Sequence, residues 1–420
     1  MTASTATSSR PRLWRDRSFR TFWAGETVSH LGDRISELAL PLLAVTVLHA
    51  TPAEVGLLTA AVWAPNLLSL FVGSWVDHQQ RKRRLMIAAD LLRAAVLASI
   101  PAAYLLDMVT LPQLFAVALI AGAGQVLFGT AYASFFVALV PRAAFLDANS
   151  LLSATRSASF VAGPALGGGL IALVTAPVAI LVDAASFVMS AVLIGRVRVR
   201  ELEPDRESAS VARRAVAGLR YVLSHPYLRW SLACATTVNL FSFMAAALVI
   251  LFASRELGLG AGVIGLAFGI GATGGLVGAV AAPRLARWFG VGPVICFGAV
   301  MFPLPIALIA AAHGPRLADV ALLGAAEFLS GFGVMCFDVN LNSLQASVIT
   351  NEVRSRVAGA FSTINYGIRP LGAVLGGVLG TYLGLRPTLV VAAVGGALSV
   401  LWLLPSPIAR VRDLADVAPS

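Results

Sequence analysis

Long apolar runs separated by short polar or Pro/Gly-containing breaks make up most of this chain. Most of the runs reach the roughly 20 residues that an α-helix needs to cross a bilayer. The pattern predicts twelve spans in two sets of six. The predicted spans are 19–48, 54–76, 84–106, 112–140, 147–175 and 177–195, then 227–254, 260–282, 291–312, 317–346, 355–384 and 386–404. The fold class predicted is therefore an all-α integral membrane protein.

The first apolar run is unusual because it carries four titratable residues, Glu26, His30, Asp33 and Glu37. At helical periodicity they fall within roughly 60° of one another on a single face. Asp33 lies near the middle of the span, where a charge costs about 2.5–3.5 kcal/mol on insertion scales. Such a stripe indicates a pathway for protons, ions or a charged substrate, and these four residues are our candidates for proton coupling.

Composition supports a membrane protein. Hydrophobic residues form 58% of the chain and charged residues only 12%, with a mean hydropathy of +0.83. A soluble core could not bury so much apolar surface, so the lipid bilayer is the expected partner. The net charge of +10 is spread over the span flanks, which argues against nucleic-acid binding. The three cysteines have no metal-ligand spacing, and neither a metal site nor a disulfide framework is expected.

Arginine-rich segments alternate with weakly basic loops along the series of spans. The N-terminal tail carries five arginines between residues 10 and 20, and a basic run covers Arg81–Arg84. Further arginines follow spans 6, 8, 10 and 12, whereas the loops at 49–53 and 107–110 carry neither arginine nor lysine. The positive-inside rule then predicts a multi-pass protein of the bacterial cytoplasmic membrane with both termini cytoplasmic.

The polar stretch 196–225 divides the chain into two halves, and we expect it to be a cytoplasmic linker between bundles at 1–195 and 226–420. The halves share glycine patterns about two hundred residues apart, such as Gly167–Gly168 and Gly376–Gly377. This repetition predicts two pseudo-symmetric six-helix bundles around a cavity.

Two segments resemble signatures of the major facilitator superfamily. The stretch Gly73–Arg84, with Gly73, Asp77 and Arg81, is similar to the loop signature between spans 2 and 3, although His78 and Gln80 depart from it. The stretch Ser159–Gly168 resembles the span-5 signature of antiporters. The resemblance implies a major facilitator fold that works by alternating access. It also implies gating roles, which fall on Gly73, Asp77, Arg81, Gly163, Pro164, Gly167 and Gly168.

Further short motifs resemble exporters of the macrolide-efflux and enterobactin type, among them Gly32–Asp33, Asp90–Arg93 and Val339–Asn340. That resemblance implies drug or metabolite export. One departure concerns span 4, where 119–136 contains no charge, whereas many proton-coupled drug exporters carry an arginine there. Proton coupling in this chain would therefore use other residues.

Polar residues inside the remaining spans are candidates for contacts in the cavity, because an unsatisfied amide is costly in hydrocarbon. These candidates are Gln125, Asn239, Asn340, Asn365, Tyr366 and Arg369. Asp90 and Arg93, three residues apart, are expected to neutralise one another. Arg156 or Arg369 could be a partner for the acids of span 1, which spacing alone does not decide.

No catalytic or nucleotide-binding motif is present in the sequence, so an enzyme is not expected and no cofactor is predicted. The function predicted is secondary active export of hydrophobic or amphipathic small molecules, including drugs, in exchange for protons by a monomer. One alternative is export of a siderophore or another endogenous metabolite. An alternative of another class is a membrane sensor or partner protein that does not transport.

Overall fold

The computed structural model of the protein describes residues 13–199, 211–350 and 353–417, and all regular structure within these ranges is helical. The first half contains α1 (Arg17–Thr46), α2 (Pro52–Trp63), α3 (Ser69–Asp77), α4 (Lys82–Leu105), α5 (Leu111–Leu139), α6 (Phe145–Val174) and α7 (Ala176–Arg196). Helix α8 (Val211–Ser224) connects the halves. The second half contains α9 (Pro226–Arg255), α10 (Ala261–Phe289), α11 (Val291–Met301), α12 (Ile306–Ala310), α13 (Arg316–Val348), α14 (Arg354–Tyr382) and α15 (Leu385–Ala397).

Within the described ranges, nine helical stretches are long and apolar enough to cross a membrane, and the bent pair α2–α3 makes ten. Two further helices, α1 and α14, have 30 and 29 residues. They are less apolar because α1 carries the acidic stripe and α14 carries three arginines. With these two, the number of spans agrees with the twelve predicted.

Two predicted spans are not continuous helices. The second bends by 50° between Pro52–Leu68 and Phe71–Asp77, around a 3-10 segment that contains Pro65. The ninth is divided into α11 and α12, and Pro303 and Pro305 lie in the break. Proline removes a backbone donor and clashes with the preceding turn, which explains both interruptions.

The two halves meet through paired glycines. A Cβ atom on Gly56 of α2 would lie 2.8 Å from the Cα of Gly377 in α14, and one on Gly168 of α6 would lie 2.8 Å from the Cα of Gly265 in α10. The same interval of 209 residues separates Gly56 from Gly265 and Gly168 from Gly377. The two contacts are thus related by the internal repeat, and only glycine permits such close approach of two backbones.

These glycine contacts lie at the side of the molecule remote from Leu13 and Val417, the ends of the described structure, and we call it the far side. Towards the opposite side, the termini side, the face of α10 that packs on α6 continues through Leu276 and Val280. Those two side chains are 46% and 63% exposed. Ala154 and Ala158 on the matching face of α6 are exposed as well. Helices α6 and α10 therefore touch at the far side and separate towards the termini side.

Within the linker predicted at 196–225, the described part of the chain contains helix α8. Gly218 of α8 packs directly on the backbone of Arg356 in α14. The N-terminal tail at 1–12 and the linker segment 200–210 lie outside the described residues, so the roles predicted for them stay predictions.

Candidate functional site

Asp33, in the middle of α1, forms an ion pair with Arg93 of α4. The pair is largely shielded, with Arg93 only 8% exposed. The guanidinium of Arg93 also lies 3.8 Å from the ring centroid of Phe187 in α7. Gly124 of α5 leaves room for the aliphatic part of this arginine. Four helices of the first half therefore hold the Asp33–Arg93 pair.

His30 lies between two carboxylates of the same helix. Its Nε2 is 3.5 Å from Glu26 and its Nδ1 is 4.0 Å from Asp33. Glu26 is buried, and its Oε1 has no hydrogen-bond partner among the residues described. The structure thus brings together three of the four residues predicted for proton coupling.

Asp183 of α7 adds another carboxylate beside this group. It accepts hydrogen bonds from Ser36 of α1 and, at 3.1 Å, from Ser186 of its own helix. Gly32 makes the approach possible, because a Cβ atom there would overlap Ser186 and Asp183. A glycine before Asp33 is therefore required by the packing of α1 against α7.

The expected pairing of Asp90 with Arg93 is wrong, since Arg93 forms its ion pair with Asp33 of another helix. Asp90 is completely buried, and neither of its carboxylate oxygens has a hydrogen bond within the described part of the chain. The charges of Arg93, Glu26 and Asp33 act on it. Spacing along α4 allowed the local pair, but the packing of α1 against α4 and α7 supplied a different partner.

Glu37, the fourth candidate for proton coupling, is separate from the other three. Its Oε2 accepts a hydrogen bond at 2.6 Å from Arg34, and 55% of its side chain is exposed. Arg34 also lies over the ring of Phe160 in α6, at 5.3 Å from the centroid. The sequence analysis did not identify Arg34 as a candidate site residue, although its position next to the acidic stripe of α1 could have indicated it.

The glycines of the span-5 signature form the surface on which α1 packs. A Cβ atom on Gly163 would overlap the side chain of Arg34, and one on Gly167 would lie 3.1 Å from the Cα of Ile35. Gly168 contacts the second half instead. Pro164 lies inside α6, and its carbonyl oxygen lies against Gly265 of α10.

The loop signature lies at the termini side. Gly73 is in α3, with Thr130 of α5 nearest to its missing side chain. Asp77 ends α3 and is exposed, as is Arg81. Lys82 is buried and donates to the carbonyl oxygen of Val76, so the basic run also fixes the turn. A gating role for these residues remains a prediction.

A second polar group lies where the halves meet. Arg369 of α14 donates through Nε to Asn239 of α9 at 3.2 Å. Its guanidinium carbon lies 4.4 Å from the ring centroid of Trp63, 4.6 Å from that of Phe243 and 4.3 Å from that of Tyr366. Trp63 belongs to the first half and the other aromatic residues to the second. The sequence argument did not identify Trp63.

The other candidates for cavity contacts are more scattered. Asn365 lies 3.4 Å from the hydroxyl of Thr236. Asn340 is buried and donates to the carbonyl oxygen of Cys336 in its own helix. Gln125 is exposed in the middle of α5. Arg156 lies over Tyr132 at 6.0 Å and forms no ion pair with an acid of α1 among the described residues.

The internal repeat shows that the charged cluster around Asp33 is confined to the first half. Helix α9 begins 209 residues after α1 and has the same length, so positions in the two helices correspond. The counterparts are Ala235 for Glu26, Asn239 for His30, Ser242 for Asp33, Ala246 for Glu37, Ala299 for Asp90, Phe302 for Arg93 and Ala392 for Asp183. None of these counterparts is a charged residue. The charged cluster is therefore not a requirement of the fold.

Two helical bundles joined by glycine contacts around a polar centre define a multi-pass membrane transporter rather than an enzyme. The family profile of the Major Facilitator Superfamily matches residues 22–373. The chain belongs to the Major Facilitator Superfamily.

Several relatives carry the name Multidrug efflux pump Tap. That of Mycolicibacterium fortuitum is 28% identical over 400 residues, which cover 91% of this chain and 93% of that protein. That of Mycobacterium tuberculosis (strain ATCC 25618 / H37Rv) is 26% identical over 413 residues, covering 92% and 93%.

Solved structures show the same fold at lower identity. The inward-facing state of a bacterial homologue of the iron transporter ferroportin has a TM-score of 0.74 and 18% identity, covering 92% of this chain and 97% of that one. A bacterial homologue of the human lysosomal transporter Spinster, in an inward-facing and occupied conformation, has a TM-score of 0.71 and 12% identity, covering 93% and 97%.

Proposed function

We propose that this protein exports hydrophobic or amphipathic small molecules from the bacterial cytoplasm in exchange for protons. The observation that carries the proposal is the charged cluster confined to the first half. Glu26, Asp33, Asp90 and Asp183 provide four carboxyl groups, whereas Arg93 is the only arginine among them. Even with His30 protonated, the carboxyl groups outnumber the positive charges, and uptake of protons would balance the cluster.

The relatives named as multidrug efflux pumps support export as the direction of transport. Asp33 is the proposed proton carrier, since it contacts both Arg93 and His30. A proton on Asp33 would weaken its attraction to Arg93 and thereby alter how α1 packs on α4. Helix α1 also packs on α6 through Gly163, and α6 contacts the second half. A change in the packing of α1 can therefore alter the contact between the halves.

The arrangement of the halves supports alternating access. Contact at the far side and separation towards the termini side correspond to a cavity open to the cytoplasm, if the termini are cytoplasmic as predicted. The opposite state would then require the paired glycines of α6 and α10 to separate. Rocking of two bundles about a central site is the mechanism typical of this architecture.

The test measures accumulation of amphipathic fluorescent dyes in inside-out membrane vesicles with an imposed pH gradient. A panel of neutral, cationic and anionic dyes is used so that the result does not depend on the choice of a single substrate. We expect accumulation by the wild type that an uncoupler abolishes. Asp33→Asn should lose gradient-driven accumulation but retain downhill dye flux, because the amide keeps the shape of the side chain and cannot carry a proton.

Asp107→Asn is the matched control. Asp107 lies in the loop after α4, outside the cluster, with a φ of 54° that asparagine also adopts readily. This variant should behave as the wild type. Normal accumulation by Asp33→Asn, with unchanged pH dependence, would rule out Asp33 as the carrier. Failure of the wild type with every dye would contradict export itself.

A further inference from the structure

The guanidinium group of Arg369 is stabilised in an unusual way for a cation between two helical bundles. Three aromatic rings lie against it, and its Nε–H donates a hydrogen bond to the side-chain oxygen of Asn239. Neither of its Nη atoms donates a hydrogen bond to any residue in the described ranges, and no carboxylate there lies within 4.0 Å. Asp338 of α13 acts on it electrostatically but forms no ion pair with it.

The internal repeat supplies a direct comparison, because Arg369 and Phe243 correspond to Phe160 and Arg34 of the first half. Both pairs bring an arginine onto a phenylalanine, with the two residue types exchanged between the helices. Arg34, however, has Glu37 at 2.6 Å, and the counterpart of Glu37 is Ala246. One arginine of the related pair therefore has a carboxylate of its own, and the other has none.

We propose that Arg369 is the recognition site for the carboxylate of an aromatic acid, which is the substrate class of this transporter. The inference rests on the export function proposed above. A carboxylate in the plane of the guanidinium can accept two parallel hydrogen bonds from the free Nη atoms. The aromatic body of the ligand would pack against Tyr366, whose side chain is partly exposed.

The aromatic rings explain how the positive charge of Arg369 is stabilised while no anion is bound. The face of an aromatic ring attracts a cation, so three rings offset part of the cost of removing the charge from water. They lie against the guanidinium group, and none of the three accepts a hydrogen bond from its Nη atoms. Because Trp63 comes from the other half, the complete site exists only while α2 and α14 remain in contact.

The experiment compares two probes of nearly the same size and shape, the anionic coumarin-3-carboxylate and the neutral coumarin-3-carboxamide. Their binding to the full-length protein in lipid nanodiscs is measured by fluorescence anisotropy. We expect the wild type to prefer the carboxylate by about tenfold or more, as for a bidentate charge-assisted contact. Arg369→Gln should reduce that preference to near unity by weakening carboxylate binding while leaving carboxamide binding unchanged.

Three further variants separate recognition from folding. Asn239→Asp gives Arg369 a carboxylate of nearly unchanged size, and it should abolish the preference while Arg369 is still present. Arg386→Gln is the matched control, because Arg386 also lies over an aromatic ring, that of Phe252, but already pairs with Glu256, and it should keep the wild-type preference. Arg369→Lys should retain only part of the preference, since lysine keeps the charge but lacks the planar fork.

The outcomes that would contradict carboxylate recognition by Arg369 differ from those that would contradict export. If the wild type binds both probes equally, or if Arg369→Gln or Asn239→Asp retains the carboxylate preference, Arg369 is not a carboxylate site. Export of the carboxamide in vesicles would then leave the proposed transport function standing. If neither probe nor any dye of the panel is transported, while the binding preference follows the variants as expected, the recognition site stands and the export proposal fails.

Discussion

At the scale of single residues, Gly163 links the span-5 signature to the charged face of α1. The side chain of Arg34 lies where a Cβ atom on residue 163 would be. Overpacking of a close contact typically costs about 1–3 kcal/mol. Gly163→Ala should therefore displace Arg34 and loosen its contact with Glu37, and we expect a lower melting temperature together with reduced export. Thermal unfolding in detergent and dye transport in vesicles measure the two effects.

Gly169→Ala provides the matched control for that substitution. Gly169 is in the same helix, and no atom lies within 4 Å of the Cβ position there. Alanine also has the better helix propensity, so this variant should be as stable as the wild type or slightly more stable. Equal effects of the two substitutions would show that Gly163 matters only as a glycine in a helix and not through Arg34.

At the scale of elements, the junction of α8 and α9 is built around His225. Its ring lies between Tyr221 and Tyr227, with centroids 5.9 and 6.0 Å away. Its Nδ1 is buried without a hydrogen-bond partner among the described residues. Burial lowers the pKa of His225 below its ordinary value. The adjacent N-terminus of α9 acts in the same direction, since the helix dipole disfavours a cation there.

The sign of the resulting pH dependence follows from this shift. Folding favours the neutral ring, so the contribution of His225 to stability is complete above its ordinary pKa of about 6.5. It decreases as the pH falls through the lower pKa of the folded state, because protonation then accompanies opening. Acidification from about pH 7.5 to about 5.5 should accordingly loosen the contact between α8 and α9.

Amide hydrogen exchange of α8, corrected for the intrinsic effect of pH, measures this loosening. We expect faster corrected exchange at the lower pH in the wild type. His225→Phe keeps an aromatic ring between the two tyrosines but cannot be protonated, so its corrected exchange should not respond to pH. If both proteins respond alike, another group is responsible and His225 is not the sensor.

At the scale of the whole molecule, the paired glycines predict which surfaces separate during transport. A Cβ atom on Gly262 of α10 would lie 3.5 Å from the Cβ of Ala172 in α6, which is within the range for a disulfide. In a background without the three native cysteines, Gly262→Cys with Ala172→Cys should form a crosslink on oxidation. Export should stop on crosslinking and return after reduction, because the far side could no longer open.

Gly25→Cys with Leu193→Cys is the control for this crosslink. The corresponding distance is also 3.5 Å, but α1 and α7 both belong to the first half. A disulfide there joins helices that move together, and transport should continue. Undiminished export by a fully crosslinked 172–262 pair would contradict the rocking of one half against the other.

Much of this architecture could be predicted from the sequence because it depends on one-dimensional properties. The lengths of apolar runs set the number of spans, although the second and ninth spans were predicted as continuous and the breaks near Pro65 and Pro303 were not predicted. The repeat is also visible in the sequence, since Gly167–Gly168 and Gly376–Gly377 recur at the interval that the structure gives as 209 residues. The cost of charge in hydrocarbon identified the polar stripe of α1 without any coordinates.

Tertiary structure alone decided which of these polar groups meet. Arg93 pairs with Asp33, sixty residues away, rather than with Asp90 in its own helix. Arg369 lies under Trp63 of the other half and remains without a carboxylate in the described structure. Spacing fixes which face of a helix a residue occupies, but its partner depends on which neighbouring helix packs there. Long-range packing, set here by glycines that let backbones approach, therefore determines the chemistry of the site.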